Sequence, residues 1–261
     1  GFHPELKPKD VALAVKETLF LAPEIIEQRF NLKGDEGVAI EMVGKITKGM
    51  VGTGFLYTNK ESLTIGVGCM LSDFAAHKTP PYVMLEEMKA HPAIRPLLEG
   101  AEVKEYVAHL IPEGGYDAIP KLYGNGWMIA GDSAGLVNAV HREGSNLAMT
   151  SGRLAAETAI DRHAAGQPFS AANLAGYKQR LDDSFVMKDL KKYRRLPAAL
   201  HRSPHFFTLY PELITLAAHQ WVKVDGVDKK SKEREVRRAF GGRRGWLGMM
   251  GDAFRLWRAF E

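Results

Sequence analysis

The stretch that most constrains this chain runs from Gly126 to Glu157, where an apolar run, a Gly-Asp turn, a loop of small residues and a long helical pattern follow one another. Met128, Ile129 and Ala130 form a short apolar run of the kind a buried strand uses, and Gly131 lets the backbone turn sharply where that strand ends. Asp132 then stands at the strand's carboxyl end, where open α/β sheets bind ligands, with an acceptor-only carboxylate suited to sugar or polyol hydroxyls. A helix is expected to begin near Glu143 and Gly144, and its first unpaired N–H groups, running on through Ser145 and Asn146, make an electropositive patch for negative charge. Along it Gly144, Ala148, Ser151, Gly152, Ala155 and Ala159 recur at three- and four-residue steps, a stripe that permits close approach to a sheet or a flat ring. The arrangement suits an extended, partly anionic cofactor, although strand, turn and helix also follow one another in α/β proteins that bind nothing.

The particular residues narrow that choice. Residues 126–157 resemble the C-terminal flavin motif of the FixC-type flavoproteins, which are similar to electron-transfer flavoprotein:quinone oxidoreductases and more distantly to geranylgeranyl reductases. Residues 106–122, with Glu113-Gly114-Gly115-Tyr116 at their centre, and residues 48–60, with Gly49, Gly52 and Gly54, match the same family. The charged run His141-Arg142-Glu143-Gly144 favours the FixC branch. The likeness extends over most of residues 1–165 and grows vaguer beyond them.

The resemblance implies an oxidoreductase that carries FAD, accepts electrons from the subunits of an electron-transfer flavoprotein and passes them toward quinone. It also implies a complex with a separate ferredoxin-like iron–sulfur protein and a link to nitrogen fixation. By the same resemblance, Gly131, Asp132, Gly144, Ser145 and Asn146 lie beside the ribityl chain and ring, and the loop of Gly114, Gly115 and Tyr116 borders the ring. Read from the residues alone, Gly114 and Gly115 permit unusual backbone angles and close ligand approach, Tyr116 offers an aromatic face and a hydroxyl, and a plain turn is the alternative. Arg142 is the preferred cation for an anionic reduced ring, with His141 second; a salt bridge to Glu143 or a solvent-facing side chain is the alternative for either. Glu113 and Asp117 read as solvated or structural. No catalytic residue is assigned, because hydride and electron transfer at a flavin need no protein nucleophile.

Gly49, Gly52 and Gly54 are spaced GxxGxG and lead into a strand pattern, so they read as loop and strand-bend glycines rather than as a dinucleotide fingerprint. The resemblance therefore implies an N-terminal Rossmann segment before Gly1 that holds the adenosine and pyrophosphate. On this reading FAD belongs to the intact protein, and residues 1–261 alone bind it weakly or not at all.

The single cysteine, Cys69, allows no intrachain disulfide and cannot supply the four thiolates an iron–sulfur cluster generally takes; it reads as a small core residue. No metal-ligand spacing occurs. Charge is uneven: residues 1–175 hold 16 Lys+Arg against 21 Asp+Glu, and residues 176–261 hold 19 against 10. A basic half of this kind attracts an anionic membrane surface or an acidic protein, with a solvated helix face as the simplest explanation. Without an RNA- or DNA-binding motif beside it, nucleic acid is not expected as a partner. No apolar run approaches the length of a membrane span, and the expected location is cytoplasmic, with peripheral contact at the membrane left open.

The expected fold class is α+β with α/β character, in three segments. Residues 1–121 form a substrate or quinone-type domain with a largely antiparallel sheet, residues 122–166 a strand-helix piece of the FAD domain, and residues 167–261 a helical C-terminal region. Strands are expected over 11–19, where Glu17 interrupts the alternation and a helix is the alternative, and over 37–43, 54–58, 63–70 and 102–111, with a hairpin turn at Asn59-Lys60, and helices over 24–30 and from Pro81 to about Lys89. Further on, 174–194 suits one amphipathic helix and 212–222 another. Residues 245–260 set Trp246, Met249, Ala253, Trp257 and Phe260 on a helical stripe whose simplest use is core packing, with an interfacial membrane helix or a protein partner as alternatives. Two other functions stay open: a geranylgeranyl-reductase-like flavoprotein, and a flavin-free interaction module using the basic helices.

Overall fold

The computed structural model describes residues 6–260. By contacts the described residues divide into two compact units, one of residues 6–12, 110–199 and 257–260, the other of residues 13–109 and 200–256.

The second unit is built on a five-stranded sheet of β1 (Val11–Phe20), β2 (Ala39–Met42), β3 (Gly52–Thr58), β4 (Ser62–Met70) and β5 (Glu102–Pro112), in the order β2-β3-β4-β1-β5. The pairs β2–β3 and β3–β4 are antiparallel, and the β3–β4 hairpin closes at Asn59, whose N–H donates to Ser62 O at 2.8 Å. The strand expectations hold here, the hairpin turn falls at Lys60-Glu61, one residue beyond the expected Asn59-Lys60, and the glycines of residues 49–54 lead into β3 as expected. Val15, Leu19, Leu56, Ile65, Val67 and Cys69 bury one core with Met84, Leu85 and Met88. Those methionines and leucine come from α3 (Pro81–Ala90), which follows α1 (Pro23–Phe30) and α2 (Leu71–His77) and precedes the one-turn α4 (Arg95–Leu98). Proline opens α1 and α3 at the first turn, where a missing N–H costs nothing. Glu17, which interrupts the apolar pattern of β1, is buried against Lys89 Nζ at 2.7 Å.

In the first unit β6 (Tyr123–Gly124) and β7 (Trp127–Met128) form a two-residue antiparallel ribbon. This corrects the expected apolar strand over Met128, Ile129 and Ala130. The backbone of Ile129 is taken up elsewhere: its N–H donates to Leu122 O at 2.9 Å and its carbonyl accepts from the Tyr177 hydroxyl at 2.8 Å. The long helix α5 (Ser145–Ala164) starts at Gly144 as expected and packs on α6 (Ala171–Asp183) and α7 (Phe185–Lys192) around Leu147, Leu154, Tyr177, Leu181 and Val186. The single helix expected over 174–194 is broken at Ser184. That residue is extended (φ −83°, ψ 165°), and its side chain accepts the Val186 N–H at 3.2 Å, so a serine cap restarts the helix. A short α8 (Leu196–His201) follows.

The remaining helices are α9 (Leu209–Val222), α10 (Lys229–Arg244) and α11 (Trp246–Phe260). The expectation of core packing along α11 is overturned, because Trp246, Ala253, Trp257 and Phe260 are exposed. What α11 buries is Ala259 and Asp252, the latter only 1% exposed. Arg244 donates to its two oxygens at 2.9 and 3.0 Å, Arg255 donates at 2.6 Å, and the Tyr210 hydroxyl donates at 2.7 Å. This cluster ties α11 to α9 and α10 and fixes which side of the helix turns inward. The Arg244 hydrogen bond, joined by those of Tyr210 and Arg255, holds the Asp252 carboxyl well below the usual carboxylate range, against desolvation. A depressed folded-state pKa contributes stability above the ordinary carboxylate range that is lost as pH falls through the folded value. Unfolding midpoints of Asp252→Asn measured against pH are expected to lie below wild type at neutrality and to decline less steeply below about pH 4.

Candidate functional site

Within the first unit the turn at residues 131–135 sits on the small-residue face of α5. Gly131 is buried with φ +59°, in the left-handed region, and its N–H donates to Ser151 Oγ at 3.0 Å. A Cβ at Gly131 would lie 3.1 Å from Ala148 Cβ, so two members of the helix stripe, Ala148 and Ser151, receive the turn. The turn is one of 3₁₀ type over Gly131–Ala134, closed by Gly135 N–H to Asp132 O at 2.9 Å and Leu136 N–H to Gly131 O at 3.2 Å. Asp132 therefore lies within that turn rather than at the end of a long sheet strand, and it is exposed.

Residues 136–144 loop from this turn to the start of α5. Asn138, 2% exposed, clasps the loop: it exchanges backbone hydrogen bonds with Glu143 at 2.8 and 3.1 Å, and its Oδ1 accepts from the Val140 and His141 N–H groups at 3.2 and 3.4 Å. At the loop tip Arg142 is exposed, adopts φ +58° and donates from Nη1 to Ala139 O at 3.0 Å. His141 is held differently, with Nε2 2.8 Å from the Tyr193 hydroxyl and the two rings 5.0 Å apart. Gly144 caps α5 with no side-chain hydrogen bond, and Ser145 and Asn146 are exposed at the first turn. The helix thus opens on backbone donors with no side chain of its own over them, a donor set that accepts negative charge.

The residue 112–122 loop contributes differently. Gly115, at φ +68° and ψ −164°, occupies a region essentially restricted to glycine. The Glu113 N–H donates to Asp10 O at 2.9 Å. Desolvation raises the Glu113 carboxyl pKa, with the charge of Arg142 opposing, so of the two expected roles, solvated or structural, the partly buried carboxyl fits the structural one. Tyr116 is half-buried and packs against the hydrophobic cluster around Leu122 and Tyr177, so part of its ring is committed to the core.

The structure brings Gly131, Asp132, Arg142, Gly144, Ser145 and Asn146 into one turn-loop-helix segment. Gly114, Gly115 and Tyr116 belong to the same unit, linked to that segment electrically through Glu113 and Arg142. Sequence reasoning missed the supporting residues. Ser151 was legible as a small residue in the stripe but not as the acceptor for Gly131; Asn138, Tyr177 and Tyr193 carry no local pattern that marks them. Among the described residues no group of three or more His, Cys, Asp and Glu side chains could hold a metal, and no helix is long and apolar enough to cross a membrane.

Comparison with known proteins bears on this segment. A model of the ETF-QO/FixC family C-terminal domain matches residues 196–261. Over 255 residues the chain is 62% identical to Protein FixC of Azotobacter vinelandii, covering 98% of this chain and 59% of that protein. It is 55% identical to Protein FixC of Bradyrhizobium diazoefficiens, covering 100% of this chain and 60% of that one. To the probable electron transfer flavoprotein-quinone oxidoreductase YdiS of Escherichia coli it is 42% identical, covering 87% and 53% respectively. The chain thus spans less than two thirds of the length of these relatives. Among solved structures, a geranylgeranyl bacteriochlorophyll reductase-like protein of Thermoplasma acidophilum shares the fold, with a TM-score of 0.61 at 13% identity over 91% of this chain and 53% of that one.

Proposed function

From the premise that this chain belongs to the ETF-QO/FixC family, we propose that it is the ring-side part of a FAD-dependent oxidoreductase that takes electrons from an electron-transfer flavoprotein and passes them toward quinone. The observation that carries the reading is the seating of the 131–135 turn on α5 through Gly131 and Ser151, beside a helix start that has no side-chain cap. A link to nitrogen fixation and a ferredoxin-like partner rest on the family resemblance. The three-part organisation of residues 1–121, 122–166 and 167–261 is proposed with it.

The residues present fit a flavin. Asp132 is an exposed acceptor for hydroxyl groups, the first turn of α5 offers N–H donors, and Gly144 and Gly115 leave open space where a Cβ would stand. When bound, FAD supplies the redox chemistry, accepting and releasing the electrons. In this arrangement Asp132 binds and orients ribityl hydroxyls, while Gly144, Ser145 and Asn146 present backbone and side-chain donors to the anionic side of the ring. Gly114, Gly115 and Tyr116 border the ring, and Arg142 places a positive charge near it. The segment binding adenosine and pyrophosphate is assigned to a part of the protein outside residues 1–261, and this chain alone binds FAD weakly or not at all.

The test uses the intact gene product. Its absorption spectrum and mass are expected to show one bound FAD, and Asp132→Ala is expected to weaken FAD binding roughly ten- to hundredfold, the worth of a hydrogen bond to a charged group. A flavin-free intact protein would favour the interaction module instead, and unchanged affinity in Asp132→Ala would remove that residue from the site. A geranylgeranyl-reductase-like activity shares the fold, but the identities of 62% to Protein FixC and 13% to the reductase-like structure weigh toward the first reading.

A further inference from the structure

The loop that carries Arg142 is closed at its base and tethered at its tip by different means. At the base Asn138 exchanges backbone hydrogen bonds with Glu143 at 2.8 and 3.1 Å, which narrows the loop but does not aim its tip. His141, one peptide before Arg142, supplies the tether: its Nε2 lies 2.8 Å from the Tyr193 hydroxyl, with the two rings 5.0 Å apart and tilted at 57°. A hydrogen bond as exposed as this one adds little to stability, so its value lies in the position it sets.

Tyr193 is itself fixed. It closes α7, with its N–H donating to Asp189 O at 3.1 Å. Its ring meets that of Phe260 edge to face, centroids 5.9 Å apart and planes at 88°, and Lys192 Nζ stands 5.0 Å from its centroid. His141, Tyr193 and Phe260 therefore form a row of rings drawn from the loop, the end of α7 and the end of α11, all within the first unit. A phenol ring held in this way presents its hydroxyl in one direction, and that direction places His141.

Placing His141 also places Arg142. The Arg142 backbone sits at φ +58°, and its Nη1 donates to Ala139 O at 3.0 Å inside the same loop, so the guanidinium travels with the tip. Its charge reaches the Glu113 carboxyl, where burial raises the pKa and Arg142 opposes the rise. Glu113 is anchored independently, its N–H donating to Asp10 O at 2.9 Å, and it leads into Gly114 and Gly115. The carboxyl is thus a fixed gauge of where the guanidinium stands. We propose that Tyr193 is a positioning residue, which through His141 holds the charge of Arg142 against the residue 113–116 loop and, where that loop borders a flavin, beside the ring. The last clause rests on the flavin reading above; the tether itself does not.

The first measurement needs no cofactor: the Glu113 carboxyl is titrated by NMR in the 261-residue chain labelled with carbon-13 at glutamate, its signal assigned by its loss in Glu113→Gln. Arg142→Ala is expected to raise the Glu113 pKa by up to about one pH unit, as removal of a nearby opposite charge does. Tyr193→Phe keeps the ring contacts with Phe260 and Lys192 and removes only the hydroxyl, and a smaller rise is expected. His141→Ala should match it, and the two changes together should add nothing further, because they cut the two ends of one bond. His141→Gln, which keeps a hydrogen-bonding group at the tip, should restore part of the difference. Lys192→Gln removes a cation from the same ring without touching the tether and should leave Glu113 in place. An unmoved Glu113 in Tyr193→Phe, or a rise as large in Lys192→Gln, would overturn the proposal. The second measurement is the midpoint potential of the flavin in the intact gene product, expected to fall in Arg142→Ala and, by less, in Tyr193→Phe. A Glu113 rise with an unmoved potential would uphold the tether and overturn the placing of Arg142 at the ring, so the two failures are told apart.

Discussion

Replacing Tyr177 by alanine is expected to destabilise the protein by roughly 3–5 kcal/mol, the range for emptying a fully buried aromatic site. Tyr177 has no exposed surface and stands at the centre of the cluster with Leu136, Leu147, Leu181 and Val186. Its hydroxyl donates to Ile129 O at 2.8 Å, one residue before the Ala130-Gly131 turn, so it also fixes the approach to the candidate site. Tyr177→Phe keeps the packing and leaves that carbonyl without its donor, at an expected cost of about 1–3 kcal/mol. Urea unfolding of the two variants separates the terms; a Phe variant as unstable as the Ala variant would show that the hydrogen bond, not the packing, dominates. The pair also differs in alkali. Burial pushes the Tyr177 phenol up to about 12, with Ser151 opposing. A raised folded-state pKa contributes stability that is whole below the ordinary phenol value of about 10 and is lost as pH rises toward the folded one. The wild type is expected to lose stability over that window, and Tyr177→Phe to lack this step.

Gly131→Val is expected to be the second most damaging change, because two independent costs coincide. At φ +59° a side chain incurs about 1–2 kcal/mol of left-handed strain, more when β-branched. A Cβ there would also press on Ala148 Cβ from 3.1 Å, which adds an overpacking cost of about 1–3 kcal/mol. The turn is expected to lift from α5, breaking the Gly131 N–H to Ser151 hydrogen bond and displacing Asp132. The intact gene product carrying Gly131→Val should therefore lose FAD as well as stability, whereas Ser151→Ala removes the acceptor without crowding and should lose less of both. Retention of stoichiometric FAD by the valine variant would dissociate the turn from cofactor binding.

The region around Asp252 shows why apolar periodicity alone misjudged α11. A helix with a strong apolar stripe ordinarily turns that stripe inward, and Trp246, Met249, Ala253, Trp257 and Phe260 satisfy the spacing. Which face turns inward here is decided by Arg244 and Tyr210, eight and forty-two residues away from Asp252 along the chain. No local pattern announces such an ion cluster, since an Asp in an amphipathic helix ordinarily marks the solvent side. The same limit applies to the apolar run at Met128–Ala130. Strand propensity was legible, but the partners that satisfy its backbone are Leu122 and a tyrosine from α6 instead of a longer ladder.

By itself the sequence determined the two strands of the β3–β4 hairpin, the proline-opened helices, the start of α5 at Gly144 and the small-residue stripe along that helix. These rest on local terms: alternation, turn chemistry, and residues that only a close backbone approach rewards. It also carried the family resemblance, through residues 48–60, 106–122 and 126–157. Only the tertiary structure decided that Ser151 receives Gly131, that Asn138 clasps the loop bearing Arg142, that burial shifts Glu113, and that α11 keeps its apolar face outward. Each depends on where distant side chains meet and on what water is excluded there, and desolvation and ion pairing between remote segments leave no periodic trace in the order of residues.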